Sequence, residues 1–167
     1  AKDPREAGSG NIGFTNTFCL SGKKIGILTL IGDMGKGCLI GGIANTIFND
    51  NVWGLLGLFA VVIGHIFPIF LRFQGGKGVA TGIGGILGID FELGIILVII
   101  WITAFVIWKY SSIGALIAFT LCPIIGWLMG KETEFIVFSV ILSGLIIIKH
   151  KQNIQRLMDG KERRFNI

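Results

Sequence analysis

The sequence predicts an all-α fold: a polytopic bundle of transmembrane helices with motif-bearing cytoplasmic loops. Three observations predict it. Apolar residues make up 52% of the 167 residues and charged residues 15%, with a mean hydropathy of +0.77, far from an ordinary soluble domain. Six apolar segments recur along the chain, at 25–48, 52–71, 78–90, 93–108, 112–129 and 135–148. The basic residues collect on alternate connections between those segments. The length allows one domain, read as a single integral-membrane domain over 1–167.

Residues 1–24 are too glycine-rich for a helix core and too poor in apolar residues to span, so they read as a loop. Segment 25–48 is long but interrupted by Asp33 and Lys36. Segment 52–71 ends around His65 and Pro68, and 78–90 is short and glycine-rich, a thin or broken span. A helix rises about 1.5 Å per residue, so a ~30 Å hydrocarbon core needs about 20 residues. Several segments fall short of that, which fits helices buried in the bundle or crossing only in part. The 26 glycines suit close helix packing in lipid. Cys19, Cys38 and Cys122 have neither disulfide nor metal spacing and read as small apolar side chains. No secretory signal is evident, and a start without Met reads as an incomplete N-terminal end.

Charge placement checks the helix count. Alternating segments put 1–24, 72–77, 109–111 and 149–167 on one side, with 13 of the 15 basic residues, from Lys2 and Arg5 to Arg163 and Arg164. The other side carries Lys131 with Asp50, Asp90, Glu92, Glu132 and Glu134. The positive-inside rule makes the basic side cytoplasmic, and the net charge of +5 then reflects membrane orientation rather than nucleic-acid binding. Trp53, Trp108 and Trp127 fall near segment ends, as interfacial aromatics do, while Trp101 lies mid-span and reads as packing.

Three polar segments share the basic side. In Arg72-Phe73-Gln74-Gly75-Gly76-Lys77-Gly78, the glycines Gly75, Gly76 and Gly78 let backbone N–H groups approach a ligand, and Lys77 with Arg72 adds charge. That suits a phosphate or carboxylate; a glycine hinge with a positive-inside lysine is the other reading. A Walker A loop is excluded, because Gly78 stands where Ser or Thr must follow the lysine. Gly8-Ser9-Gly10-Asn11 and Thr15-Asn16 offer neutral donors for a phosphate or polyol, or simply a capped helix start. Asp33 and Lys36 share a helix face, either as a structural ion pair or as an aid to substrate orientation. His65 is an interfacial histidine or an acid/base group. His150, Asn153 and Leu157 share a helical face. Two isolated histidines without a nearby carboxylate or thiol do not make a metal site. An H-x-x-x-x-D pair is absent, since Phe70 and Gln155 occupy the aspartate positions, and so is a G-x-S-x-G elbow.

These segments resemble the bacterial acyl-phosphate:glycerol-3-phosphate acyltransferases, the PlsY family. The resemblance rests on Asp3-Pro4-Arg5, Gly8-Ser9-Gly10-Asn11, Gly13 and Thr15-Asn16; on Gly64-His65, Pro68, Phe70, Phe73 and Gly75 to Thr81; on His150, Asn153-Ile154, Arg156-Leu157, Gly160 and Glu162; and on Asp33 with Lys36-Gly37. Motif order and spacing hold over nearly the whole chain.

The resemblance implies a seven-helix inner-membrane enzyme, with one helix before the first motif and six here. It implies acyl transfer from acyl phosphate to the 1-position of sn-glycerol 3-phosphate, giving lysophosphatidic acid and phosphate. It implies Ser9, Lys77, His150 and Asn153 as catalytic residues. Phosphate contacts fall to Gly8, Gly10, Asn11, Thr15, Asn16, Gly75, Gly76 and Gly78, with Asp33, Lys36, His65 and Arg72 in support. No metal and no cofactor are expected. The expected partners are the two substrates and membrane lipid, not nucleic acid, and a monomer is compatible with this. One position departs from the family pattern: Cys19 stands where an arginine is expected to meet a substrate phosphate. A catalytically weak paralogue is therefore one alternative, and a small-anion transporter using Asp33 and Lys36 is another, though no inverted repeat supports it.

Overall fold

The computed structural model describes residues 3–48 and 51–165. Lys2 and Asp50, counted above on the basic and acidic sides, lie outside them. The described residues form eight α-helices and one 3₁₀ turn, with no strand among them. They fall into two compact units, Ala1–Asp90 and Phe91–Ile167.

The first unit contains α1 (Phe14–Ser21), α2 (Lys23–Phe48), α3 (Asn51–Ile66), the 3₁₀ turn Ile69–Leu71 and α4 (Val79–Ile89). Reading all of residues 1–24 as a loop is corrected here, because 14–21 are helical. The glycines stop at Gly13, and Phe14 then stacks edge-on against Phe18 one turn later, ring centroids 5.5 Å apart. Gly22, at φ 88, ends α1 in a conformation that side-chain-bearing residues rarely adopt. At 26 residues α2 runs about 39 Å, long enough to cross.

The pairing of α2 with α4 explains the glycine content. A Cβ at Gly37 or Gly41 would collide with the backbone carbonyl of Thr81 or Gly85, and one at Gly84 or Gly88 with that of Met34 or Cys38. Each helix thus presents a small-x-x-x-small face, and the two backbones touch. On its other side α4 meets α3, where Leu58 packs on Gly85 and, with Val62 and Ile66, is fully buried.

The second unit contains α5 (Phe91–Trp108), α6 (Ser111–Leu128), α7 (Thr133–Lys149) and α8 (Lys151–Met158). Leu93, Leu97, Ala118, Phe119, Leu142 and Ile146 are fully buried in it. Pro123 lies inside α6 and cannot donate to the carbonyl of Phe119 four residues back. The Ser143 hydroxyl of α7 donates to that carbonyl at 2.5 Å. The chain bends by 56° at His150, between α7 and α8.

Among the described residues, four helical segments are long and apolar enough to cross a membrane: Lys23–Ile47, Val52–Leu71, Phe91–Trp108 and Ser111–Leu128. A fifth is added when α7 and α8 count as one bent span. The molecule is a multi-pass membrane protein of all-α class. The sixth expected span is α4, whose 11 residues extend only about 16 Å. It is the thin segment the sequence suggested, tucked against α2 and α3. Trp53, Trp108 and Trp127 are largely exposed, as helix-end aromatics should be, and Trp101 stacks on Phe105 at 5.5 Å.

Candidate functional site

In the first unit, residues 3–13 wrap around one side chain. Asn16 is 4% exposed. Its Nδ2 donates to the carbonyls of Pro4, Ala7 and Asn11 at 2.8, 3.1 and 2.9 Å, and its Oδ1 accepts the Ser9 N–H at 3.0 Å. Gly8 and Gly10 turn the chain with φ 65 and 70, leaving Ser9 exposed between them. The Asn11 Oδ1 accepts the Gly13 N–H at 2.8 Å. The Asn11 Oδ1 and both ends of the Asn16 carboxamide, predicted to meet substrate, are thus bonded to their own backbone and shape the loop around Ser9. Thr15 lies half-buried in the first turn of α1.

Arg5 forks onto Asp3, with Nε at 3.0 Å from both carboxylate oxygens. That side-chain hydrogen bond holds the Asp3 carboxyl down at about 2. Arg5 therefore already carries a counter-charge. Cys19 is half-buried in α1, and Lys23 and Lys24 are exposed at the start of α2.

The second loop of this unit folds back on the end of α3. After Ile66 the 3₁₀ turn leads into Arg72 and Phe73, both left-handed at φ 52 and 61. Each such non-glycine residue costs on the order of 1–3 kcal/mol and persists only where its surroundings impose it. Here the Phe73 N–H donates to the Pro68 carbonyl at 2.9 Å, and the Gly76 N–H to the His65 carbonyl at 3.1 Å. A Cβ at Gly75 would collide with the His65 and Ile66 carbonyls, and one at Gly76 with the His65 ring. Gly78, at φ 84, starts α4 directly after Lys77, which is half-buried. The first amides of α4 lack partners within the helix and carry its positive dipole end, an arrangement suited to an anion. In this first stretch of α4 the Thr81 hydroxyl is fully buried and has no hydrogen-bond partner among the described residues.

Below that loop lies a cluster the sequence showed only in pieces. Lys36 Nζ is 2.6 Å from Asp33 Oδ1, the pair their spacing predicts, and also 2.6 Å from His65 Nδ1. His65 Nδ1 is 3.4 Å from Asp33 Oδ1. The histidine is therefore buried and paired, not an isolated interfacial group. Sequence separation concealed this, since no local spacing relates residue 36 to residue 65.

In the second unit, His150 sits at the junction of α7 and α8, 2% exposed. Its Nδ1 donates to the Ile146 carbonyl at 2.8 Å, which leaves Nε2 as the acceptor nitrogen of the neutral ring. Asn153 follows on α8, buried, with its Nδ2 2.5 Å from Glu162 Oε1. Glu162 also accepts from Ser112 Oγ at 2.8 Å and Arg156 Nε at 2.7 Å. Burial pushes the Glu162 carboxyl up, but the hydrogen bonds from Asn153, Arg156 and Ser112 outweigh it and hold the group below its ordinary value. Glu162 and Ser112 were not among the predicted site residues. The available signal was Gly160, whose φ of 66 turns the chain so that the Lys161 and Glu162 N–H groups meet the Arg156 carbonyl. Among the described residues no three His, Cys, Asp or Glu side chains gather as metal ligands.

In comparison with known proteins, the glycerol-3-phosphate acyltransferase family model matches residues 1–160. A glycerol-3-phosphate acyltransferase of Methylococcus capsulatus is 40% identical over 163 residues, covering 97% of this chain and 82% of the relative. One of Dechloromonas aromatica is 45% identical over 161 residues, covering 96% and 81%. The crystal structure of PlsY (YgiH), an integral membrane glycerol 3-phosphate acyltransferase, matches in its glycerol 3-phosphate form with a TM-score of 0.95 at 32% identity, covering 99% of this chain and 84% of that one. Its lysophosphatidic acid form matches with a TM-score of 0.90 at the same identity, covering 95% and 81%.

Proposed function

The chain belongs to the glycerol-3-phosphate acyltransferase family, and on that premise we propose that it transfers a fatty acyl group from acyl phosphate to the 1-position of sn-glycerol 3-phosphate, giving lysophosphatidic acid and phosphate. The observation that carries the reading is the Gly75–Gly78 turn, which delivers Lys77 and the first amides of α4 together. A mixed anhydride is already activated, so catalysis consists of positioning two anions and neutralising developing charge. The glycerol hydroxyl oxygen forms a bond to the acyl carbon. The bond from that carbon to the phosphate oxygen breaks, and phosphate leaves with its electron pair. The hydroxyl proton goes to a substrate phosphate oxygen, with His150 Nε2 the rival acceptor.

In this reading Ser9 and its glycine loop contact glycerol or phosphate, and His150 and Asn153 are the catalytic residues of the second unit. Asn11, Thr15 and Asn16 build the first loop, and Arg72 shapes the second. The whole chain acts as one domain in the inner membrane, with its chemistry at the cytoplasmic face and the acyl tail along apolar helix surfaces in lipid.

The test is phosphate release by the full-length protein in lipid, dependent on both substrates. Lys77→Ala should lose about 10²–10³-fold in kcat/KM for glycerol 3-phosphate, the range seen when one charge-stabilising group is removed. Near-normal turnover in that variant would falsify the phosphate-cradle role. Counterflow of labelled glycerol 3-phosphate without phosphate release would favour the transporter. Cys19→Arg restores the cation expected on α1, and should raise kcat/KM for glycerol 3-phosphate about tenfold, as one charge-assisted hydrogen bond is worth. An unchanged value would remove position 19 from phosphate binding.

A further inference from the structure

The geometry points to His65 as a positioning residue: its ring, tied to Lys36 and Asp33 on α2, sets where the Gly75–Gly76 turn lies and so tunes how that turn binds glycerol 3-phosphate. The inference rests on the proposed role of the turn in phosphate binding.

His65 meets the turn in two ways. Its carbonyl accepts the Gly76 N–H at 3.1 Å. Its ring lies where a Gly76 side chain would go, because a Cβ there would overlap Nε2, Cε1 and Cδ2. The glycine backbone therefore rests on the imidazole. The far side of the ring is anchored across 29 residues of sequence, with Nδ1 2.6 Å from Lys36 Nζ and that ammonium 2.6 Å from Asp33 Oδ1. A lysine ammonium only donates, so Nδ1 is the acceptor and the hydrogen of the neutral ring sits on Nε2, the atom nearest Gly76. His65 is 8% exposed and has little room to swing aside.

The residue after Lys36 is Gly37, where α2 touches the Thr81 carbonyl of α4. One stretch of α2 thus anchors the ring under the turn and braces the helix that the turn begins. A sub-ångström change in the ring would move Lys77 and the α4 amides relative to a bound phosphate. Misplacement of about 1 Å can cost on the order of a hundredfold.

The experiment compares Gly76→Ala, His65→Asn and the double variant, full-length and in lipid. Asparagine keeps an acceptor close to the Nδ1 position for Lys36 and removes the outer edge of the ring. Gly76→Ala should raise KM for glycerol 3-phosphate at least about tenfold while KM for acyl phosphate stays within about twofold. Adding His65→Asn makes room for the new methyl and should recover most of that loss. A double variant no better than Gly76→Ala would overturn the proposal. So would a parallel rise in both KM values, or a fall in kcat with both KM values unchanged.

Thermal unfolding of the same proteins in detergent reads the contact without turnover. Gly76→Ala should lower Tm and the double variant should regain it. Failure to regain it overturns the packing of ring on turn, whatever the protein catalyses. A Tm regained in the double variant, together with wild-type protein that releases no phosphate, overturns the acyl-transfer reading instead, and with it the link from His65 to substrate.

Discussion

At Glu162 one carboxylate joins the start of α6, the face of α8 and the turn that follows α8. Asn153 is thereby held by a partner nine residues on. This has a pH signature. The folded carboxyl titrates below its ordinary value of 4.5, so the unfolded chain binds a proton first as pH falls. The stabilisation is complete above about pH 4.5 and drains away as the pH drops through the lower folded value. Melting followed across pH 3 to 7 should show this acid limb. Glu162→Gln should flatten it and cost about 2 kcal/mol at neutral pH, because a charged hydrogen-bonding partner is lost while Arg156 stays half-buried. An unchanged acid limb in that variant would assign it to other carboxylates. At this scale the sequence picked out the right kinds of residue but not their partners. Asn16 was legible as a polar residue beside glycines, and its four bonds to the loop were not, because they depend on a wrap that only the folded chain makes.

Helix elements were more legible, since apolar content and length are local properties. The limits of α5, α6 and α7 fall within two residues of the apolar segments. The misses have local causes. In α1, two helical turns after Gly13 were hidden by the glycines before them. Pro123 raised no break, because its cost is met from another helix. The carbonyl it strands on Phe119 is bonded by Ser143 Oγ, as lipid-embedded backbone requires. Ser143→Ala should therefore destabilise the protein by about 1 kcal/mol, in the range measured for hydrogen bonds between membrane helices. Pro123→Ala should abolish that cost, since residue 123 then donates to Phe119 itself. Equal penalties for Ser143→Ala in both backgrounds, read by unfolding in detergent, would sink the account.

For the whole molecule, each compact unit carries its own orientation signal. In the first, Lys23, Lys24, Arg72 and Lys77 sit at one set of helix ends and Asp90 at the end of α4. In the second, Lys109 and the run from Lys149 to Arg164 sit at the ends of α5 and α7, while Glu92, Glu132 and Glu134 mark their starts. The positive-inside rule applied to each unit separately predicts that the basic ends face the cytoplasm. With the native cysteines replaced, single cysteines at Gln74 and Arg164 should react with an impermeant thiol reagent from the cytoplasmic side of sealed vesicles. One at Glu132 should react from the opposite side. Labelling of Gln74 from that opposite side would reverse the assignment for the first unit.

The sequence by itself determined the all-α membrane class, the bounds of the long helices and the chemical character of three polar segments. Each is set by composition, periodicity or local spacing. Only the tertiary structure decided that α4 lies backbone-to-backbone on α2, that His65 belongs with Asp33 and Lys36, and that Glu162 joins Asn153 to Ser112. These are contacts between residues far apart in the chain. Their geometry depends on how glycine-lined backbones approach in the fold, so no short window of sequence contains it.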